Sequence, residues 1–314
     1  MALVNVGEFR YPQGWTDPHQ AKAWARQYCQ KLEEGEILMF DSPPFDFPQA
    51  DREFLLSQKQ SGLKVHKNVS YRPKRDVLRG DACETPEDNQ RLHDILRRYS
   101  RQVTQFVDRF LSPYMPYRIL DFASYRPLEE KGRDLPLHKR NDLVHVDAFP
   151  SRPTHGARIL RVFTNINPTR PRVWDTTDKF EKLVQSFADD AGLPRFAKKA
   201  GSPSQKLRKT FAPVMRVVGI KGMERSAYDR FMLRFHDYLK ENTDYQTKWT
   251  RIRLEFPPGA TWIVYTDQVP HAAISGQFMT EQTFIIPLEA MVTPQCSPLR
   301  VLEAHCGKTL VPVE

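Results

Sequence analysis

No stretch of this 314-residue sequence approaches the roughly 18 consecutive apolar residues of a membrane-spanning helix, which argues against a spanning protein. The first ten residues, Met1 to Arg10, show no basic stretch followed by an apolar one, so neither a signal nor a transit peptide is expected. Cysteine is scarce. Cys29, Cys83, Cys296 and Cys306 are far apart or ten residues apart, which fits neither a zinc spacing nor a dense disulfide framework and points to a reducing cytoplasm. Internal repeats and low-complexity tracts are absent. An RNP-like aromatic pattern and a helix-turn-helix are also missing, so no nucleic-acid partner is expected.

What is there is the composition of a folded protein: 40% hydrophobic, 11% aromatic and 27% charged residues of mixed sign. The length allows one large domain or two ordinary ones, and one decorated domain is the expectation. A formal charge of +9 implies attraction to something anionic, whether nucleic acid, an acidic leaflet or a polyanionic substrate. Part of the excess is local, since Arg195 to Arg225 holds nine Lys or Arg against the single Glu224.

Asp17-Pro18 opens a helical pattern that runs to Gly35, and Thr85-Pro86 opens another. In the second, Leu92, Ile95, Leu96, Tyr99, Val103, Phe106, Val107 and Phe110 form one apolar stripe that should end near Pro113. After Pro116 the texture changes to short runs rich in β-branched and aromatic residues, at 118–126, 143–149, 157–166, 252–256, 260–265 and 283–288, which read as strands. Helical patterns at about 177–191 and 224–242 flank the basic stretch. The expected fold is α+β with a mainly β core, a double-stranded β-helix of jelly-roll, cupin-like type. A helical N-terminal region, 1–116, packs outside it; the core occupies 117–290, with a helical insertion at 175–250 and a tail at 291–314.

In Leu143 to Phe149, His145 and Asp147 stand two apart on a strand and so point to the same side, where they can share a metal ion. Alone, His-x-Asp says little. A second segment adds weight: Pro257-Pro258-Gly259 turns into the apolar run Ala260 to Tyr265, and His271 follows Asp267 by four residues. A double-stranded β-helix delivers its distal ligand in this shape. Two imidazoles and one carboxylate on one face of iron(II) leave three adjacent positions open, two for the chelating ends of 2-oxoglutarate and one for O2. Oxidative decarboxylation then yields succinate, carbon dioxide and an oxidant that removes hydrogen from the substrate. A zinc hydrolase would be expected to carry a helical His-x-x-x-His, and none occurs.

The distal carboxylate of 2-oxoglutarate calls for a cation on a rigid strand. No Lys or Arg occurs between His271 and Leu299. Arg161, fourteen residues after Asp147, is the first candidate; Arg126 is the second, with Thr283 as a hydroxyl partner. Lys139, Arg140, Arg152, Arg170 and Arg172 flank the ligand-bearing strands and are candidates for holding an anionic substrate.

Val144 to Pro150, Arg158 to Pro168, Gly259 to Trp262 and Gln268 to Ala272 together resemble the Kdo hydroxylases, bacterial iron(II) and 2-oxoglutarate oxygenases acting on 3-deoxy-D-manno-oct-2-ulosonic acid (Kdo) of lipopolysaccharide. The resemblance covers most of the chain. It implies hydroxylation at C3 of a Kdo sugar on Kdo-lipid A precursors, by an enzyme peripheral to the cytoplasmic face of the inner membrane. Two alternatives stay open: a 2-oxoglutarate oxygenase for another anionic small molecule or a protein side chain, and an inactive cupin-like module whose basic insert binds nucleic acid.

Overall fold

In the computed structural model, which describes residues 3–9, 13–58, 69–80, 83, 85–200 and 225–311, helices begin where the caps lie in the sequence. The Asp17 carboxylate accepts the His19 N–H at 2.9 Å, and Pro18 opens the helix Pro18–Glu33. Thr85 Oγ1 accepts the Asp88 N–H at 3.1 Å at the start of the helix Pro86–Phe110. All the expected stripe positions of that helix are buried. They pack on Leu160, Val162, Ile263, Phe284 and Ile286 of the main sheet. Each large apolar side chain buried there contributes about 1.5–3 kcal/mol of transfer free energy, before ordering entropy is set against it.

Eleven strands are described: β1 Leu3–Gly7, β2 Ile37–Phe40, β3 Val69–Arg72, β4 Val77–Arg79, β5 Ile119–Arg126, β6 Arg158–Asn165, β7 Arg172–Thr176, β8 Ile252–Phe256, β9 Thr261–Tyr265, β10 His271–Ser275 and β11 Met279–Ile286. They form an eight-stranded sheet in the order β1-β2-β9-β6-β11-β5-β3-β4 and a three-stranded sheet in the order β10-β7-β8. Successive core strands therefore pass between the sheets, β9 to β10 to β11 among them. On β6, Leu160 and Val162 face the helices while Phe163 packs among Trp174, Phe256 and Trp262 between the sheets. By the same alternation Arg161 faces inward.

Several expectations are corrected. The region 1–116 contributes β1 to β4, which extend the large sheet at both edges, as well as helices. These strands are only three to five residues long, too short for a local signal. Residues 143–149 form no continuous strand and join β10 by the bridge between His145 and His271. β7 and β10 lie where no strand was expected, and β11 begins four residues earlier than the 283–288 run. The insertion holds the helices Phe180–Phe187, Leu193–Ala200, Ala227–Glu241 and Thr243–Lys248. Of the basic stretch, 201–224 lie outside the described residues. The tail forms the helix Pro298–Cys306, whose Leu299 and Leu302 pack on the insertion. Among the described residues no helix is long and apolar enough to cross a membrane.

Candidate metal centre

The segment carrying His145 and Asp147 is laid against the start of β10 by backbone pairing. His145 N–H donates to the His271 carbonyl at 3.1 Å, His271 N–H returns the bond at 2.9 Å, and Asp147 N–H reaches the Thr266 carbonyl at 2.8 Å. The pairing forces the side chains together: the two imidazole centroids are 4.8 Å apart, and His145 Nε2 lies 3.7 Å from Asp147 Oδ1. One ligand atom from each of His145, Asp147 and His271 falls within 4.8 Å of the others, and this is the sole such group among the described residues. Trp174 of β7 stacks on His271 with centroids 4.8 Å apart and planes 23° apart, which fixes the ring.

Protonation favours metal binding as well. His145 Nδ1 donates to the Leu143 carbonyl at 2.7 Å and His271 Nδ1 to the Val269 carbonyl at 2.9 Å, so each Nε2 is left as the lone-pair donor. Burial pushes His145 well below the ordinary histidine value, reinforced by the neighbouring His271 and Lys240. Burial also lowers His271. For Asp147, burial alone would raise the carboxyl, but the Arg161 guanidinium beside it outweighs this and holds the group below the usual carboxylate range. Two neutral imidazoles and an ionised carboxylate are the donor set of a facial iron(II) site, and these three residues would hold the ion.

Around this centre the structure gathers the co-substrate candidates. Arg161 Nη2 lies 3.1 Å from Asp147 Oδ2, and its Nη1 lies 3.4 Å from Glu281 Oε2. Arg126, at the end of β5, meets the same Glu281 oxygen at 2.6 Å, and Thr283 stands opposite Arg161 in the β6–β11 register. The Nε atoms of Arg126, Arg161 and Arg172 are buried without a hydrogen-bond partner in the described structure, a surplus of donors that suits an anionic ligand. Sequence reasoning missed Glu281. Its inward place on β11, two residues before Thr283, was the available signal.

The five substrate candidates do not form one cluster. Arg170 and Arg172 approach adjacent acids, Glu129 at 3.5 Å and Glu130 at 3.0 Å. Arg172 is no loop-mouth charge: it opens β7, 2% exposed, and also donates to the Gly276 carbonyl. Arg140 pairs with Asp142 at 2.6 Å, and exposed Lys139 ends the short turn Leu137–Lys139. Arg152 pairs with Asp121 and lies over the Phe149 ring at 4.3 Å. It helps line a cleft of about 950 Å³ with Arg72, Lys74, Arg75 and Phe122, adjoining the loop after Asp147. Also unforeseen was a buried clamp behind the centre, in which Arg158 Nε meets Asp267 Oδ2 at 2.8 Å and its Nη2 meets Gln268 Oε1 at 2.7 Å.

Residues 15–309 match the family model described as 3-deoxy-D-manno-oct-2-ulosonic acid (Kdo) hydroxylase. Among solved structures, the Kdo hydroxylase KdoO, described as a non-heme Fe(II) alpha-ketoglutarate dependent dioxygenase, in complex with cobalt(II) is 32% identical over 100% of this chain and 99% of its own, with a TM-score of 0.80. KdoO in complex with alpha-ketoglutarate and Fe(III) is 31% identical over 99% and 98% of the two chains, with a TM-score of 0.79. No curated protein sequence matches. With a family match over nearly its whole length and 32% identity to a solved Kdo hydroxylase across both chains, the chain belongs to the Kdo hydroxylase family.

Proposed function

We propose that the protein is an iron(II)- and 2-oxoglutarate-dependent dioxygenase that hydroxylates C3 of a Kdo sugar on Kdo-lipid A. The observation that carries this reading is the buried convergence of His145, Asp147 and His271, with Arg161 directly beside them, in a chain of this family. KdoO has been captured with alpha-ketoglutarate and with succinate, the co-substrate and co-product such chemistry requires. His145, Asp147 and His271 hold the iron, whose contribution when bound is the activation of O2. Arg161 binds the distal carboxylate of 2-oxoglutarate, with Arg126 and Thr283 beside it. Both sheets and the segment 143–147 together make a double-stranded β-helix within a single oxygenase domain.

Of the five substrate candidates Arg152 meets the anionic body of the substrate, in the cleft beside Phe149 that gives it room. The protein works as a peripheral enzyme at the anionic cytoplasmic face of the inner membrane, an arrangement favoured by its charge of +9. The deciding experiment is anaerobic loading with iron(II), followed by succinate release in air with Kdo-lipid A and with a panel of other anionic substrates. Turnover confined to Kdo-lipid A supports the assignment. Equal or better turnover of a substrate without Kdo overturns it.

A further inference from the structure

The segment that carries two of the three metal ligands has a strand on only one side. His145 and Asp147 spend their backbone N–H groups on His271 and Thr266. Along an extended chain the backbone groups alternate in direction, so those of Val144 and Val146 turn away from β10, toward the place a further strand would fill. Among the described residues no strand is there. Two side chains of the helical insertion occupy it instead.

Gln246 treats Val144 as a neighbouring strand residue would: its Oε1 accepts the Val144 N–H at 3.0 Å and its Nε2 donates to the Val144 carbonyl at 2.9 Å. That amide is itself fixed by the Leu239 carbonyl at 2.7 Å and by Arg251 Nη2 at 3.1 Å. One residue pair further on, His236 Nδ1 donates to the Val146 carbonyl at 2.8 Å, and its ring stands edge-on to His145 with centroids 4.8 Å apart. The side chains of Val144 and Val146 are buried among Phe231, Phe235 and Leu239 of the same insertion. Asp229, which closes the capping box of the helix Ala227–Glu241, also accepts the Thr154 and His155 N–H groups at 2.9 and 3.0 Å, tying down the loop that follows Asp147.

We propose that His236 and Gln246 are positioning residues that replace a missing edge strand and hold His145 and Asp147 in the metal-binding geometry. The helical insertion is thereby part of the metal centre's support. This rests on the metal-site reading above. Groups that orient ligands in this way typically change metal affinity by about ten- to a hundredfold when removed.

The test uses cobalt(II) as the probe, with affinity measured by calorimetry and coordination by visible absorption, on the full-length protein. His236→Ala and Gln246→Met should each weaken cobalt binding about tenfold or more and alter the absorption bands. His236→Asn, whose amide nitrogen can take the place of Nδ1, should recover most of the affinity. Phe231→Leu serves as the control, because it loosens the same apolar cluster without touching the segment's hydrogen bonds. It should lower the thermal midpoint and leave the cobalt spectrum unchanged. If wild-type protein and His271→Ala bind cobalt alike, the metal-site reading itself fails. If only wild type binds, but His236→Ala matches it in affinity and spectrum, or Phe231→Leu weakens binding as much as His236→Ala, the positioning role is overturned.

Discussion

Truncating Arg161 probes both the co-substrate and the metal, because its guanidinium touches Asp147, a proposed metal ligand. In Arg161→Ala the proposed contact to the distal carboxylate of 2-oxoglutarate is lost. Truncating one partner of a buried, hydrogen-bonded charge pair costs about 2 to 5 kcal/mol. The lower end applies here, since Asp147 at 3.1 Å and Glu281 at 3.4 Å already share the guanidinium and a ligand carboxylate would partly replace them. About 2 kcal/mol corresponds to roughly a 30-fold rise in KM for 2-oxoglutarate, since each 1.4 kcal/mol is tenfold. The second effect is on Asp147. With Arg161 gone, the largest influence opposing burial is lost, so the carboxyl titrates higher and iron binding should weaken first at the acid end. Initial rates of succinate release against 2-oxoglutarate, at saturating iron and pH 7.5, measure the first effect; cobalt affinity as a function of pH measures the second. Arg161→Lys, keeping the charge without the fork, should fall between the two proteins. An unchanged KM in Arg161→Ala, together with a large increase in Arg126→Ala, would refute the reasoning and move the role to Arg126.

Three further outcomes are expected. His271→Ala should lose both turnover and bound iron, and full activity with normal iron content would remove it from the ligand set. Metal affinity should hold as pH falls through about 6.5, the ordinary imidazole value, because both ligand histidines are depressed by burial and Asp147 is held low. A depressed folded-state value means that the proton competes only once pH has dropped below it, so a cobalt-binding midpoint at or above 6.5 would contradict the burial argument. Asp267→Ala should destabilise the protein by about 3 to 5 kcal/mol in urea unfolding, since it strands the Arg158 guanidinium, which is 0% exposed; a loss under 1 kcal/mol would show that Gln268 suffices as its partner.

Much of the metal centre was legible because its signals are local. A separation of two places His145 and Asp147 on one side of an extended chain whatever the chain pairs with, and a Pro-Gly turn, an apolar run and a histidine mark the distal ligand within fifteen residues. Helix starts are local too, since Asp17 and Thr85 cap backbone groups two and three residues away. Whether Arg161 would face inward was undecided in one dimension, because the loop between Asp147 and β6 could shift the alternation by one. Its contacts with Asp147 and Glu281 settled it. The strands β7 and β10 owe their existence to each other across nearly a hundred residues, with His271 opposite Thr176. Arg172, just after Pro171, reads as a loop charge until Glu130, 42 residues away, supplies the carboxylate that lets it be buried. His236 and Gln246 carry no mark in the sequence at all, since the carbonyls they hold lie 90 and 102 residues earlier. The sequence by itself marked His145, Asp147 and His271 as candidate ligands, because the spacings that mark them are local. Tertiary structure alone decided which charges are buried and which side chains stand in for a strand, because both depend on partners that only folding brings within hydrogen-bond distance.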